Sequence, residues 1–251
     1  MDELVSVINP AYNREKTIEK AIQSVLDQTY KDIEVIVVDD GSTDATVLAV
    51  NGIGDKRVKC ISLDKNSGAC RARNKGLEKA QGRYIAFQDS DDIWKPEKLE
   101  KQIAILKSEP VDLVFCAFER IRDTEKTILP LLNEGRVSRK ELLEKSLVST
   151  QTLIGKRECF DKIVFDEKMP RLQDYDITIR LSEKFDFYFI KEPLVEMYVG
   201  YDSISRSTFK MLNAEQRIFE KYKSEMEKYP AFKLYNLEGL AKAKLDNEIY
   251  C

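Results

Sequence analysis

The sequence predicts an α/β fold built on a mostly parallel sheet flanked by helices, with a helical C-terminal extension. Three observations carry that expectation. Strand and helix patterns alternate through residues 1–118. The strand-like segments are short, apolar and rich in β-branched residues, as in strands covered on both faces. Polar clusters follow three of them, at 10–13, 39–42 and 89–92. Alternation of this kind signals βαβ units. In such sheets ligands bind beyond the carboxyl ends of the strands.

Taken in order, Val5 to Asn9 reads as a short buried strand. Ile18, Ala21, Ile22, Val25 and Leu26 then mark one face of a helix, for which Asn13 is the expected N-cap. Ile33 to Val38 is the second strand, and its turn at Asp39-Asp40-Gly41-Ser42 leads into a helix over Thr43 to Ala49. Val58 to Leu63 is the third strand. The next helix carries Ala69, Ala72, Arg73, Gly76, Leu77 and Ala80, an inner face small enough to pack closely on a sheet. Tyr84 to Phe87 is a fourth strand that ends abruptly in acids, followed by a helix over Pro96 to Leu106. Val111 to Ala117 is the fifth strand.

Beyond Thr124 the alternation weakens. Short helices are expected at Arg139–Leu147 and Arg157–Lys162, and a better one at Asp174–Phe185. Strands are expected at Phe187–Ile190 and Val195–Val199. From Ile204 the chain reads as Lys-rich helix, with Phe209, Leu212, Phe219, Tyr222 and Met226 roughly on one side. The plainer reading of that stripe is cover for its own domain. The others are a peripheral contact with a membrane and a homodimer through the C-terminal helices. There is no repeat, low-complexity tract or clear linker.

Composition excludes several function classes. The 251 residues can bury a sizeable core. A net charge of -3 gives no pull toward nucleic acid. Histidine is absent, so no Ser-His-Asp or Cys-His triad can form. Acid–base work must fall to carboxylates, Lys, Tyr or Cys, and a hard metal must be held by oxygen. The five cysteines lack CxxC spacing, and their odd count suits a reducing compartment. Neither a signal peptide nor a membrane span is legible. The expected location is the cytoplasm, with peripheral contact at the inner face of the cell membrane as a further expectation.

The polar clusters suggest chemistry. Asp89 and Asp91, at i and i+2 past a strand, can converge on Mg²⁺ or Mn²⁺. The bland alternative is an acidic loop, but exposing three acids at a strand's end is costly without a partner, which favours the metal. Asp92 reads as a cap for the following turn. Asp39 and Asp40 can accept hydrogen bonds from a base or a ribose, while Gly41 permits close backbone approach. Ser42 and Thr43 read better as helix caps. Tyr12 either stacks on a nucleobase or lies buried beside a cap. Arg71 and Arg73 begin a helix behind Asn66-Ser67-Gly68, and of the two Arg73 points inward. Cations and free N–H groups there suit a diphosphate. Asp174 alone reads as a helix N-cap.

The ordered set Pro10-Ala11-Tyr12-Asn13, Gln28-Thr29-Tyr30, Val37-Val38-Asp39-Asp40-Gly41-Ser42-Thr43-Asp44, Asn66-Ser67-Gly68, Ala72-Arg73-Asn74-Lys75-Gly76 and Asp89-Ser90-Asp91-Asp92 resembles the family 2 glycosyltransferases. The match covers the first half closely. In the second half it is carried mainly by Gln173-Asp174-Tyr175-Asp176 before Arg180-Leu181. The resemblance implies the GT-A fold, a Rossmann-like three-layer sandwich, and an inverting, metal-dependent transfer from a nucleotide-sugar donor, UDP-linked, to a glycan or lipid-linked acceptor. It implies bacterial surface polysaccharide synthesis by analogy. Residues 1–118 would bind the nucleotide sugar, 119–204 would form the acceptor half of the same domain, and 205–251 would be the extension.

Carried over by position, Pro10, Ala11, Tyr12, Asn13, Asp39 and Asp40 would line the nucleoside pocket, with Asp40 on the base. Arg73 would face the diphosphate. Asp89 and Ser90 would approach the ribose, with Asp91 the main metal ligand and Asp89 its companion, for Mn²⁺ or Mg²⁺. Asp174 would be the catalytic base, at a helix N-terminus whose dipole favours its ionised form.

Two departures stand out. Gln173 replaces a frequent Glu, which leaves the base slightly weaker. The family's downstream Arg and His are missing from Tyr198-Val199-Gly200-Tyr201-Asp202-Ser203, where Tyr201 or Arg206 would substitute. These departures keep a rival reading open, a catalytically inactive GT-A domain serving another transferase as a partner.

Overall fold

The computed structural model describes residues 3–199 and 208–250. Its first half runs β1 (Val5–Ala11), α1 (Ile18–Leu26), β2 (Ile33–Asp39), α2 (Thr46–Gly52), β3 (Val58–Ser62), α3 (Ala69–Lys79), β4 (Tyr84–Phe87), β5 (Ile93–Trp94) and α4 (Lys98–Ser108). Then come β6 (Leu113–Arg122), β7 (Glu125–Leu129), β8 (Gly135–Val137), α5 (Arg139–Glu144), β9 (Ile154–Lys156), α6 (Gln173–Leu181) and β10 (Phe187–Tyr198). The C-terminal helices are α7 (Thr208–Lys221), α8 (Lys223–Lys228) and α9 (Pro230–Tyr250).

The sheet order is β3-β2-β1-β4-β9-β6-β10-β5. Strands β3, β2, β1 and β4 pair in parallel, as do β6 and β10. Short β9 runs antiparallel to both β4 and β6, so the two parallel blocks point the same way. The carboxyl ends of β1, β2 and β4 therefore open on one edge.

Strand alternation splits the core. Val5, Val7, Val35 and Val37 face α1 and α4, packing with Ile22, Val25, Leu99 and Ile103. Ile8, Ile36, Val38 and Phe87 face α3 and α6, packing with Ala72, Ile177 and Leu181. Helices thus cover both faces, as the period-2 pattern of side chains requires. A third cluster joins α5 and α6 to the C-terminal helices, with Leu143, Tyr175 and Ile179 against Ala214, Ile218, Met226 and Phe232. Phe219 and Tyr222 pack against this cluster, while Phe209 remains 61% exposed.

Several local expectations change. The two expected late strands are one, β10, with register shifts around Pro193. Proline lacks the ladder N–H, so the strand bulges there instead of ending. Helix α1 has Thr17 as N-cap and α2 has Ala45, neither with a side-chain cap bond. The turn after β9 is a single 3-10 turn, Arg157–Cys159. Ile204 lies outside the described residues.

Helix α3 lies so close to β1 that a Cβ on Gly76 would collide with Ile8 Cγ2. Helix propensity alone would favour alanine there by about 1 kcal/mol. Overpacking outweighs it, so Gly76→Ala is expected to destabilise the protein by about 1–3 kcal/mol in urea unfolding.

Glu215 of α7 is 7% exposed and lies against Gly239 of α9. Burial pushes its pKa up to about 7, against the opposing pull of Arg171. The folded state therefore holds a proton that the unfolded state releases near pH 4.5, and stability falls as pH rises from there to about 7. Glu215→Gln removes that loss. The variant is expected to melt above wild type at pH 8, by no more than about 3 kcal/mol of stability, and to match it at pH 4.

Candidate active site

The loops after β1 and β2 are stitched together. Pro10 and Ala11 are buried and pair in register with Val38 and Asp39. Asp40 N donates to Ala11 O at 2.7 Å. Asn13 turns into the left-handed region with φ 52°. Its N–H donates to Ser42 Oγ and its Oδ1 accepts from Thr43 N, both at 2.9 Å. Asn13, Ser42 and Thr43 are therefore not helix caps but a clasp between two loops. Tyr12 projects from this clasp 40% exposed, not buried.

Asp39 and Asp40 are both buried. The Asp39 carboxylate accepts from Ser42 N at 3.2 Å. Asp40 accepts from Ser67 N at 2.8 Å and Gly68 N at 2.7 Å, one bond on each oxygen. Gly41 allows this approach. It has φ 74°, and a Cβ there would lie 2.7 Å from the Lys65 carbonyl carbon. Asp40 thus fixes the segment that starts α3, and each of its oxygens keeps a free lone pair for a ligand.

Arg73, one turn into α3, is 6% exposed. Its Nη2 donates to Asp89 Oδ1 at 2.7 Å and its Nη1 to Gln173 Oε1 at 3.0 Å. The guanidinium lies over the Phe165 ring, 5.4 Å from the centroid. Its Nε is buried without a partner, an uncommon state that a bound anion would relieve. Arg71 is exposed, as its place on the helix requires.

The loop after β4 begins with buried Gln88, which accepts from Asn9 Nδ2 at 3.0 Å and donates to Ala21 O at 2.7 Å. Ser90 is buried. The Asp91 carboxylate is 3.6 Å from Arg14 Nε. Asp92 is 2% exposed and accepts from Tyr198 N at 3.1 Å. It ties the loop to the end of β10 and does not cap the following turn. Burial raises the pKa of Asp91, Asp89 adds to the rise, and Arg14 opposes it. Burial, Asp89 and Asp91 raise Asp92 as well. Carboxylates crowded and buried in this way repel one another's charge, and a nearby cation would relieve that repulsion.

Asp89 and Asp91 fit a hard divalent ion in donor type. Among the described residues no cluster of three or more His, Cys, Asp or Glu could hold a metal. Phosphate oxygens and water would have to complete the shell, which suits Mg²⁺ or Mn²⁺.

Helix α6 starts through Leu172, whose φ of 55° is left-handed, so Asp174 is not the N-cap. Asp174 Oδ1 accepts from Tyr175 N at 2.9 Å. Asp174 does lie in the first turn of α6, where the dipole favours its charge, but burial outweighs this: burial raises its pKa, Asp89 adds to the rise, and the Tyr175 N–H and Arg73 only partly offset it. A raised pKa makes the carboxylate a stronger base than an ordinary aspartate. Gln173 is a neutral acceptor for Arg73, which leaves Asp89 as the guanidinium's anionic hydrogen-bond partner.

The structure brings Tyr12, Asp39, Asp40, Arg73, Asp89, Asp91 and Asp174 to one edge of the sheet. Sequence reasoning missed Arg14, although it adjoins the first cluster, and Phe165, which only packing reveals. The suggested substitutes Tyr201 and Arg206 lie outside the described residues.

Residues 6–167 match the family described as "Glycosyl transferase family 2". The chain is 36% identical over 214 residues to the "Putative teichuronic acid biosynthesis glycosyltransferase TuaG" of Bacillus subtilis, covering 82% of this chain and 83% of that one. It is 36% identical over 219 residues to the "UDP-Glc:alpha-D-GlcNAc-diphosphoundecaprenol beta-1,3-glucosyltransferase WfgD" of Escherichia coli, covering 85% and 84%. Among solved structures, S. aureus TarS 1–349 in complex with UDP-GlcNAc superposes with a TM-score of 0.73 at 21% identity, over 86% of this chain and 66% of that one. The mannosyltransferase PcManGT of Pyrobaculum calidifontis, in complex with GDP-Man and Mn²⁺, gives 0.66 at 20% identity, over 96% and 73%. The chain spans about two thirds of the TarS fragment's length. The fold is GT-A.

Asp40→Asn would turn an amide N–H₂ toward the Ser67 or Gly68 N–H, leaving buried donors face to face. It is expected to cost about 1–3 kcal/mol in urea unfolding and to weaken nucleotide binding in calorimetry.

Proposed function

The chain belongs to glycosyl transferase family 2 and is a glycosyltransferase, and on that premise we propose that it moves a hexose or N-acetylhexosamine from a UDP-linked donor, with inversion, to a hydroxyl of a glycan or lipid-linked acceptor. The observation that carries this reading is the convergence of Arg73, Asp89 and Asp174 at one edge of the sheet. The UDP-glucose in the name of WfgD supports the donor. Its diphosphoundecaprenol acceptor, and the teichuronic acid pathway named for TuaG, support a place in bacterial surface polysaccharide synthesis.

In this reading Tyr12 stacks on the uracil, while Asp39 and Asp40 accept from the nucleoside. Pro10, Ala11 and Asn13 hold the loop, and Ser90 supports the ribose side. Asp91 and Asp89 hold Mn²⁺ or Mg²⁺. When bound, that ion neutralises charge on the departing diphosphate. Arg73 meets the same charge with its guanidinium, including the unpartnered Nε. Asp174 takes the proton of the acceptor hydroxyl. The freed oxygen attacks the anomeric carbon as the bond to the diphosphate breaks, and the configuration inverts.

Residues 1–118 serve the donor, 119–204 the acceptor, and 205–251 form the extension. No helix among the described residues is long and apolar enough to cross a membrane. We place the protein in the cytoplasm, in peripheral contact with the membrane that carries the acceptor. Exposed Phe209, Leu234 and Leu245 support an outer contact, with lipid or with a second copy through the C-terminal helices.

Transfer from UDP-sugars with Mn²⁺ tests the proposal. Asp174→Asn is expected to lower kcat by about 10²–10⁴ while UDP binding holds. Asp91→Ala is expected to weaken binding of UDP with Mn²⁺. A wild type that binds no nucleotide would sink the reading. Because the base must be ionised and its pKa is raised, kcat/KM is expected to fall with acidification at a pH above the ordinary aspartate range. A profile flat down to pH 4 would remove Asp174 from that role.

A further inference from the structure

Helix α6 carries two aspartates with opposite outlooks. Residues two apart lie about 200° apart around a helix. Asp174 feels Arg73 and Asp89 across the cleft. Asp176 is fully buried on the other side, against the C-terminal helices. Arg180 donates to its Oδ2 from Nε at 3.1 Å and from Nη2 at 2.7 Å. Lys221 Nζ and Tyr222 Oη each donate to its Oδ1 at 2.7 Å.

The cluster reaches further. Lys221 also donates to Asp166 at 2.9 Å, and Arg180 to Val164 O at 2.8 Å. Between those two residues stands Phe165, the ring beneath Arg73. One ion cluster therefore ties together the Asp174 helix, the floor under Arg73, and α7 with its junction to α8.

The entry to α6 is strained. Leu172 is left-handed without being glycine, and no side chain caps the helix. Such a conformation persists only where its surroundings over-determine it. Here the cleft side is held by the Arg73–Gln173 bond at 3.0 Å, and the far side by the Asp176 cluster.

We propose that Asp176, Lys221 and Tyr222 are positioning residues through which the C-terminal helices set the placement of Asp174 against the acceptor hydroxyl. The extension is then part of the catalytic machinery as well as a cover. This inference rests on the reading of Asp174 as the base. The donor loops hang on β1, β2 and β4, and Arg73 keeps its own anchor on Asp89 of the β4 loop, so donor binding depends on the cluster far less than the placement of Asp174 does. The chemical step does, because an error of about 1 Å in a reacting group can cost about 10²-fold in rate.

The test compares Tyr222→Phe, Lys221→Met and Lys221→Arg with wild type, well below their melting temperatures. Tyr222→Phe keeps the ring and guards against a Lys221→Met that fails to fold. Expected are a kcat about 5-fold lower for Tyr222→Phe and about 30-fold or more lower for Lys221→Met. Lys221→Arg is expected near wild type, with donor KM and calorimetric UDP affinity within about twofold throughout. Lower melting temperatures with unchanged kcat would mean that the cluster only holds the fold, and would overturn the inference. If Asp174→Asn itself keeps wild-type kcat, the base assignment falls and this inference with it. If Asp174→Asn loses turnover while the Tyr222 and Lys221 variants keep it, the inference alone falls.

Discussion

A guanidinium that is 6% exposed must find its partners within the fold, and Arg73 finds them on two other elements. Burying a charge is costly unless it is paired and hydrogen-bonded. The ring of Phe165 fills the space beneath it. Everything that sets α3 thus sets the cleft. Gly76 lets the helix settle onto β1, and Asp40 holds the amides of Ser67 and Gly68 just before it. Asp89 and Gln173 are then drawn to the same point from the β4 loop and from α6.

Electrostatics in the cleft follow from that arrangement. The chain has no imidazole, so proton chemistry falls to carboxylates, Lys, Tyr or Cys. Burial raises Asp91, Asp92 and Asp174 alike, and Asp89 adds to each. Near Asp91 and Asp174 the opposing charges are Arg14 and Arg73. Added positive charge would therefore stabilise the ionised Asp89–Asp92 loop, and Asp174 holds a proton more readily than an ordinary aspartate.

The fold was largely legible because its signals are local. Val35, Ile36, Val37 and Val38 announce a strand covered on both faces, and the spacing of Ile18, Ile22 and Val25 announces a helix. Caps and boundaries were less legible. Asn13 has the composition of a cap, yet its φ of 52° and its bonds to Ser42 and Thr43 depend on a second loop 29 and 30 residues away. Phe187–Ile190 and Val195–Val199 read as two strands, but β6 pairs in parallel with both stretches and turns the gap around Pro193 into a bulge. The C-terminal stripe was readable as amphipathic. That Lys221 and Tyr222 close on Asp176 was not.

The sequence by itself determined the sheet-and-helix order, the exclusion of imidazole chemistry, and the set of acidic clusters after strand ends. These depend on residue type and on periodicity along a single segment. Only the tertiary structure decided what each acid does. Asp40 holds backbone amides, Asp92 ties a loop to β10, Asp174 is raised where the helix dipole alone would lower it, and Asp176 locks a helix. The physical reason is that a carboxylate's role is fixed by its burial and by which charges and donors stand within a few ångströms. For these four, the deciding neighbours come mostly from distant parts of the chain.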